Sequence, residues 1–143
     1  TTDKKITDLI EKLGVKNKIK FLGVVDVPKI MTDSDIFVLP RTTAFGTVTF
    51  PNVLLESMAC GTPVITSNVG GIDEFITNGK TGVLVPSKNI KALENAIGSL
   101  INDKDKRERI AINARLVVEE KYSWKKITDK IINVYEDVTD EKR

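Results

Sequence analysis

Two short apolar runs constrain this chain more than anything else in it. Asp35-Ile-Phe-Val-Leu-Pro40 and Pro63-Val-Ile-Thr66 are rich in β-branched and aromatic residues, do not alternate with polar ones, and are bounded by turn formers. A strand without polar alternation has no solvent face, so both runs predict strands covered on both sides. Between them, Pro51 to Cys60 carries an apolar helical pattern with proline at its start and Gly61 just past its end, the usual asymmetry of helix start and stop signals. Strand, helix and strand within roughly thirty residues form a parallel crossover unit.

The rest of the chain repeats this alternation. Ile6, Leu9, Ile10 and Leu13 recur at helical spacing and end at Gly14. Ile19 to Leu22, closed by Gly23, predicts a strand, and Pro28 to Met31 a short helix. Val69-Gly-Gly71 and Asn78-Gly-Lys-Thr-Gly82 are turns, with a short helix over Ile72 to Ile76 between them. Gly82 to Val85 predicts the last strand, ended by Pro86. Three helices follow. Their apolar faces are Ile90, Leu93, Ile97, Leu100 and Ile101, then Ile110, Ala114, Val117 and Val118, then Trp124, Ile127, Ile131, Tyr135 and Val138. Ser123 caps the last helix in this reading, and Trp124 pins it as a core residue. The expected fold class is α/β: a Rossmann-like parallel sheet of about four strands with flanking helices, in one domain over residues 1–143.

Composition narrows the chemistry. The net charge is +2, too balanced for a polyanion-binding surface. Histidine is absent, which removes Ser-His-Asp triads, Cys-His dyads and His-ligated metals. Cys60 is the single cysteine, so no intrachain disulfide forms, in keeping with a reducing compartment. No apolar run reaches the roughly 18 residues of a membrane span.

In open parallel sheets the ligand lies at the carboxyl ends of the strands. Gly23-Val24, the Pro40 to Pro51 loop with its following helix, and Ser67-Asn-Val-Gly-Gly71 all fall there. The helix is the most telling. Its first N–H groups and its dipole suit a phosphate, and Pro51 leaves the N–H groups of Asn52, Val53 and Leu54 to bind it. Glu56 lies one turn further in and is the only acid among Val, Leu, Met, Ala and Cys. A carboxylate on a buried helix needs a partner, and a ribose diol offers two donors side by side.

The segment Phe50-Pro-Asn-Val-Leu-Leu-Glu-Ser-Met-Ala-Cys-Gly-Thr-Pro-Val-Ile65, following Ser34-Asp-Ile-Phe-Val-Leu-Pro40, resembles the donor-domain core of the retaining GT-B glycosyltransferases of the glycogen-synthase and mannosyltransferase type (family 4). Phe21-Leu-Gly23, Val69-Gly-Gly-Ile-Asp-Glu74, Asn78-Gly-Lys-Thr-Gly-Val-Leu-Val85 and Tyr122-Ser-Trp124 resemble the flanking motifs in the same order. The resemblance implies the C-terminal, nucleotide-sugar-binding half of a GT-B fold, truncated at its N-terminus. It also implies hexosyl transfer to a hydroxyl acceptor in glycan or polysaccharide biosynthesis, with retained anomeric configuration. By resemblance Glu56 binds the ribose, the amides of Asn52, Val53 and Leu54 hold the diphosphate, and Gly23 contacts the base. Phe50, Gly70 and Gly71 complete the implied site. No metal or other cofactor is implied. The partners implied are the nucleotide-sugar donor and an N-terminal acceptor-binding domain or subunit. The implied setting is cytoplasmic, with any membrane-surface contact made by parts outside this chain.

Two departures from the family pattern bear on activity. The family carries a second glutamate with seven residues between it and the one matching Glu56; here that position is Val48, or Thr43 if a short insertion precedes Phe50. The family's opening strands, with a basic pair that neutralises the leaving diphosphate, have no counterpart here. No catalytic residue is therefore expected in this chain. The alternative reading is a non-catalytic, degenerate donor domain that serves as a binding or scaffolding subunit of a split enzyme. A receiver-like signalling domain fits less well, because Asp26 and Asp35 do not build its acidic cluster.

Overall fold

The computed structural model describes residues 4–43 and 51–140. Helix α1 (Lys4–Lys12) leads into a short 3-10 turn, α2 (Val27–Thr32) and strand β1 (Phe37–Leu39). Then come α3 (Asn52–Ala59), β2 (Val64–Ser67), a 3-10 turn at Ile72–Glu74 and β3 (Val83–Val85). The chain finishes with α4 (Ile90–Asn102), α5 (Lys104–Val117), a π-helical turn at Val118–Tyr122, and α6 (Trp124–Asp140).

The three strands form one parallel sheet in the order β1-β2-β3. Phe37, Val38 and Leu39 face Val64, Ile65 and Thr66, and Ile65, Thr66 and Ser67 face Val83, Leu84 and Val85. The central strand is buried at every residue, as its unalternating sequence requires. Successive side chains of β2 point to opposite faces, and each face has its own apolar layer. Val64 packs with Leu54 and Met58 of α3, Ile72, Phe75, Ile76 and Ala114. Ile65 packs with Val85, Leu100 and Ile110 on the other side. Helix α5 thus closes both layers, with Ile110 in one and Ala114 in the other. Each fully buried aliphatic side chain of this kind contributes on the order of 1.5–3 kcal/mol.

Buried hydroxyls tie the layers to the loops. Thr66 Oγ1 donates to the Leu39 carbonyl at 2.9 Å, Thr62 Oγ1 to the Met31 carbonyl at 2.6 Å and Ser57 Oγ to the Thr62 carbonyl at 3.2 Å. Side-chain caps start three of the helices: Asp26 accepts from Lys29 N, Asn89 from Ala92 N and Asp103 from Lys106 N.

The sheet has three strands among the described residues, one fewer than the sequence predicts. Ile19 to Leu22 does not join it. Ile19 has extended dihedrals, but a strand exists only by pairing its backbone with a neighbour, and this segment pairs with neither edge of the sheet. Its apolar side chains stay exposed, Phe21 at 57%. The other correction is at the C-terminus. Trp124 is 85% exposed and Ile131, Tyr135 and Val138 are also exposed, so the apolar face of α6 is not core. Helical period sets which residues share a stripe, but only a facing element buries the stripe. The Ser123 cap is loose, with its hydroxyl 3.5 Å from Lys126 N.

Candidate functional site at the amino end of helix α3

Helix α3 follows the carboxyl end of β1, so its N-terminus opens on the side of the sheet where ligands bind. Pro51 is its N-cap, in extended conformation, and Asn52 is the first helical residue. The Leu54 N–H donates to the Pro51 carbonyl at 3.0 Å. That amide is spent on the first turn and does not point to a ligand, contrary to the sequence expectation. The N–H groups of Asn52 and Val53 have no acceptor inside the helix.

Leu54, Ser57 and Met58 turn toward the sheet and are buried. Asn52, Leu55, Glu56 and Ala59 lie on the opposite face and line one side of an open cavity of about 500 Å³. Its other wall is the π-helical turn and the start of α6: Val118, Glu119, Tyr122, Ser123, Trp124 and Ile127. The extra residue of a π-turn resets the helical register, and such turns recur at functional sites. Here it lets α5 pack on the sheet while Tyr122 and Trp124 reach the cavity. Tyr122 and Phe75 meet edge to face, with ring centroids 6.5 Å apart and planes at 74°.

Glu56 is exposed rather than enclosed, so the burial cost that singled it out in the sequence does not arise. Its helix has one buried face, and Glu56 occupies the other. Among the described residues its carboxylate has no hydrogen-bond or ion-pair partner. The second acid of the cavity, Glu119, is engaged. It accepts from Arg115 Nε at 2.8 Å, and this hydrogen bond, with the charge of Glu119, raises the Arg115 pKa.

The other sequence-predicted residues are placed elsewhere. Gly23, Gly70 and Gly71 all have positive φ (66°, 68° and 79°) and do not line this cavity. Gly71 is a close-approach position as well as a turn: a Cβ there would lie 3.1 Å from Glu74 Oε1. Phe50 and Val48 lie outside the described residues, and Thr43 is exposed. Arg41 lines a second hollow of about 290 Å³ at the carboxyl ends of β1 and β3, together with Lys88 and the start of α4. Ser87 Oγ donates to the Thr42 carbonyl at 2.8 Å and fixes that loop against β1. Among the described residues no group of three or more His, Cys, Asp or Glu side chains is placed to hold a metal. Nor is any described helix long and apolar enough to cross a membrane.

Sequence reasoning missed Leu55, Tyr122, Trp124 and Lys88. The motif Tyr122-Ser-Trp124 was visible, but its position opposite Asn52 and Glu56 depends on α5 folding back along α3.

The family model for glycosyl transferases group 1 matches residues 1–117. The chain belongs to that family. Among its relatives, the uncharacterized glycosyltransferase MJ1607 of Methanocaldococcus jannaschii is 38% identical over 134 residues, covering 91% of this chain and 33% of that protein. The phosphatidyl-myo-inositol mannosyltransferase of Mycobacterium leprae is 34% identical over 129 residues, covering 87% of this chain and 33% of that protein. Among solved structures, Anabaena HepE in complex with UDP superposes with a TM-score of 0.87 at 30% identity, over 94% of this chain and 36% of HepE. This group 1 glycosyltransferase chain therefore spans about a third of the length of the relatives it matches. The α/β class holds, with the parallel sheet and flanking helices of GT-B neighbours.

Proposed function

We propose that this chain is the donor domain of a retaining hexosyltransferase. It binds a nucleotide diphosphate sugar whose hexosyl group passes to a hydroxyl acceptor in glycan or polysaccharide assembly. The observation that carries this reading is the placement of Glu56. Its carboxylate has no partner among the described residues, lies one turn inside α3, and shares a cavity with Asn52 at the helix mouth. A diphosphate at the N-terminus of α3 takes the N–H groups of Asn52 and Val53 and the positive end of the dipole. The ribose then lies one turn along, where Glu56 accepts from its two hydroxyls. HepE, to which the chain is similar, is known in complex with UDP and with UDP-glucose, which supports a nucleotide-sugar donor.

In this reading no residue of the chain is catalytic. It needs no metal: the helix dipole, with the basic pair of the family's opening strands, neutralises the leaving diphosphate. Gly23, Gly70, Gly71 and Phe50 keep their proposed donor contacts by family resemblance only. Saturation-transfer NMR with UDP, GDP, ADP and their sugar conjugates tests the reading, alongside Glu56→Ala. One nucleotide should bind, and the variant should lose it. A folded chain that binds none of them overturns the reading and leaves a scaffolding subunit, as Val48 and Thr43 in place of the family's other glutamate suggest.

A further inference from the structure

Five polar residues are buried among the described ones: Ser57, Thr62, Thr66, Ser67 and Thr81. Four of their hydroxyls are hydrogen-bonded: those of Ser57, Thr62 and Thr66 donate to carbonyls, and that of Thr81 accepts from the Thr77 N–H at 2.9 Å. Ser67 is the exception. It ends β2 at the carboxyl edge of the sheet, is 3% exposed, and its hydroxyl makes no hydrogen bond among the described residues. Buried hydroxyls are normally satisfied, and Ser67 lines the hollow of about 290 Å³ between β1, β3 and α4. No acid lines that hollow, whereas Arg41 and Lys88 bring two positive charges to it. Lys88 has a φ of 60°, alone among the described non-glycine residues, a left-handed conformation that residues with side chains rarely hold. Beside it, Ser87 Oγ donates to the carbonyls of Arg41 and Thr42, so the loops carrying the two cations are tied to each other. The hollow also takes in the start of α4. Asn89 caps that helix by accepting from Ala92 N, and the N–H groups of Ile90 and Lys91 have no acceptor inside the helix.

We propose that this hollow is a second, separate anion site, which binds the phosphate of a small phosphomonoester. The phosphate oxygens accept from the Ser67 hydroxyl, from Arg41 and Lys88, and from the Ile90 and Lys91 amides at the positive end of α4. Pro40, Val85, Pro86 and Leu93 face the carbon part of the ligand. The volume is at the small end for ligand pockets, with room for a few carbons rather than a nucleoside. The inference does not rest on the donor reading, since no residue of this hollow lines the α3 cavity. The nitrogen-labelled chain is titrated, at constant ionic strength, with inorganic phosphate, glycerol 3-phosphate, glycerol and UDP, and amide shifts are followed by NMR. The two simple phosphates should give saturable shifts centred on Ser67, Lys88, Ile90 and Lys91, and glycerol should give none. UDP should leave those amides in place. Ser67→Ala should weaken glycerol 3-phosphate about tenfold and Lys88→Gln about threefold. Lys104→Gln, which removes a charge on α5 outside the hollow, should leave its affinity unchanged. Thermal melts check that each variant is folded, and the exposed Lys88 carries the test should Ser67→Ala unfold. Shifts scattered over surface lysines, or native affinity in folded Lys88→Gln, overturn the site. UDP moving the Ser67 set overturns it as a separate site. UDP moving no amide at all sinks the donor reading and leaves this one standing.

Discussion

Phe75 and Tyr122 are 47 positions apart in the chain and meet edge to face, with ring centroids 6.5 Å apart. Phe75 follows the Gly70-Gly71 loop and is buried in the α3 layer; Tyr122 closes the π-helical turn. This contact fixes where the chain turns from α5 into α6, and therefore where Trp124 stands relative to Glu56. Replacing Tyr122 by leucine removes the edge-to-face term, about 0.5–1.5 kcal/mol beyond area burial. Urea unfolding should show that loss, and nucleotide affinity should fall with it, because one wall of the cavity is no longer held.

The Glu56 contact predicts a dependence on both ribose hydroxyls. A carboxylate accepting from a diol loses about 1.5–3 kcal/mol with the loss of a charge-assisted bond. A 2′-deoxy nucleotide should therefore bind roughly tenfold or more weakly to the native chain by calorimetry. On Glu56→Ala the ribo- and deoxy-forms should bind alike, and a persisting preference would place the diol elsewhere.

Two glycines should respond in opposite ways to alanine. A Cβ on Gly82 would lie 2.7 Å from Ile76 Cγ2 and 3.3 Å from the Val64 carbonyl oxygen, inside the packed layer. Gly82→Ala should cost about 1–3 kcal/mol. Gly98 lies within α4 with nothing within 4 Å of its added Cβ, so Gly98→Ala should stabilise by about 0.5–1 kcal/mol. Paired thermal melts check both signs.

The Thr62 hydroxyl reaches the Met31 carbonyl at 2.6 Å across two buried residues. Valine keeps the shape and removes this hydrogen bond, while the Met31 carbonyl still accepts from Ser34 N at 3.0 Å. Thr62→Val should lower unfolding free energy by about 0.5–1.5 kcal/mol with an unchanged urea slope, since the surface exposed on unfolding stays the same.

Much of the fold was legible because its signals are local. Pro51 and Gly61 bracket α3, and Val64 to Ser67 could only be a strand covered on both faces. The Val83–Val85 strand and the three closing helices also follow from period and punctuation. Asn52 and Glu56 were readable as a pair because one helical turn separates them.

What the sequence by itself determined, then, is the order and type of the elements and the family they belong to. Hydrophobic period and turn chemistry act over a few residues and leave their mark in the order of side chains. The tertiary structure alone decided three things. It left Ile19 to Leu22 out of the sheet, because a strand needs a backbone partner that no local pattern supplies. It used the Leu54 amide within the first turn of α3. And it set Trp124 across from Glu56 instead of in the core, beside Tyr122, which packs on Phe75. Each depends on which distant segment arrives to face a residue, a relationship between surfaces that residue order does not encode locally.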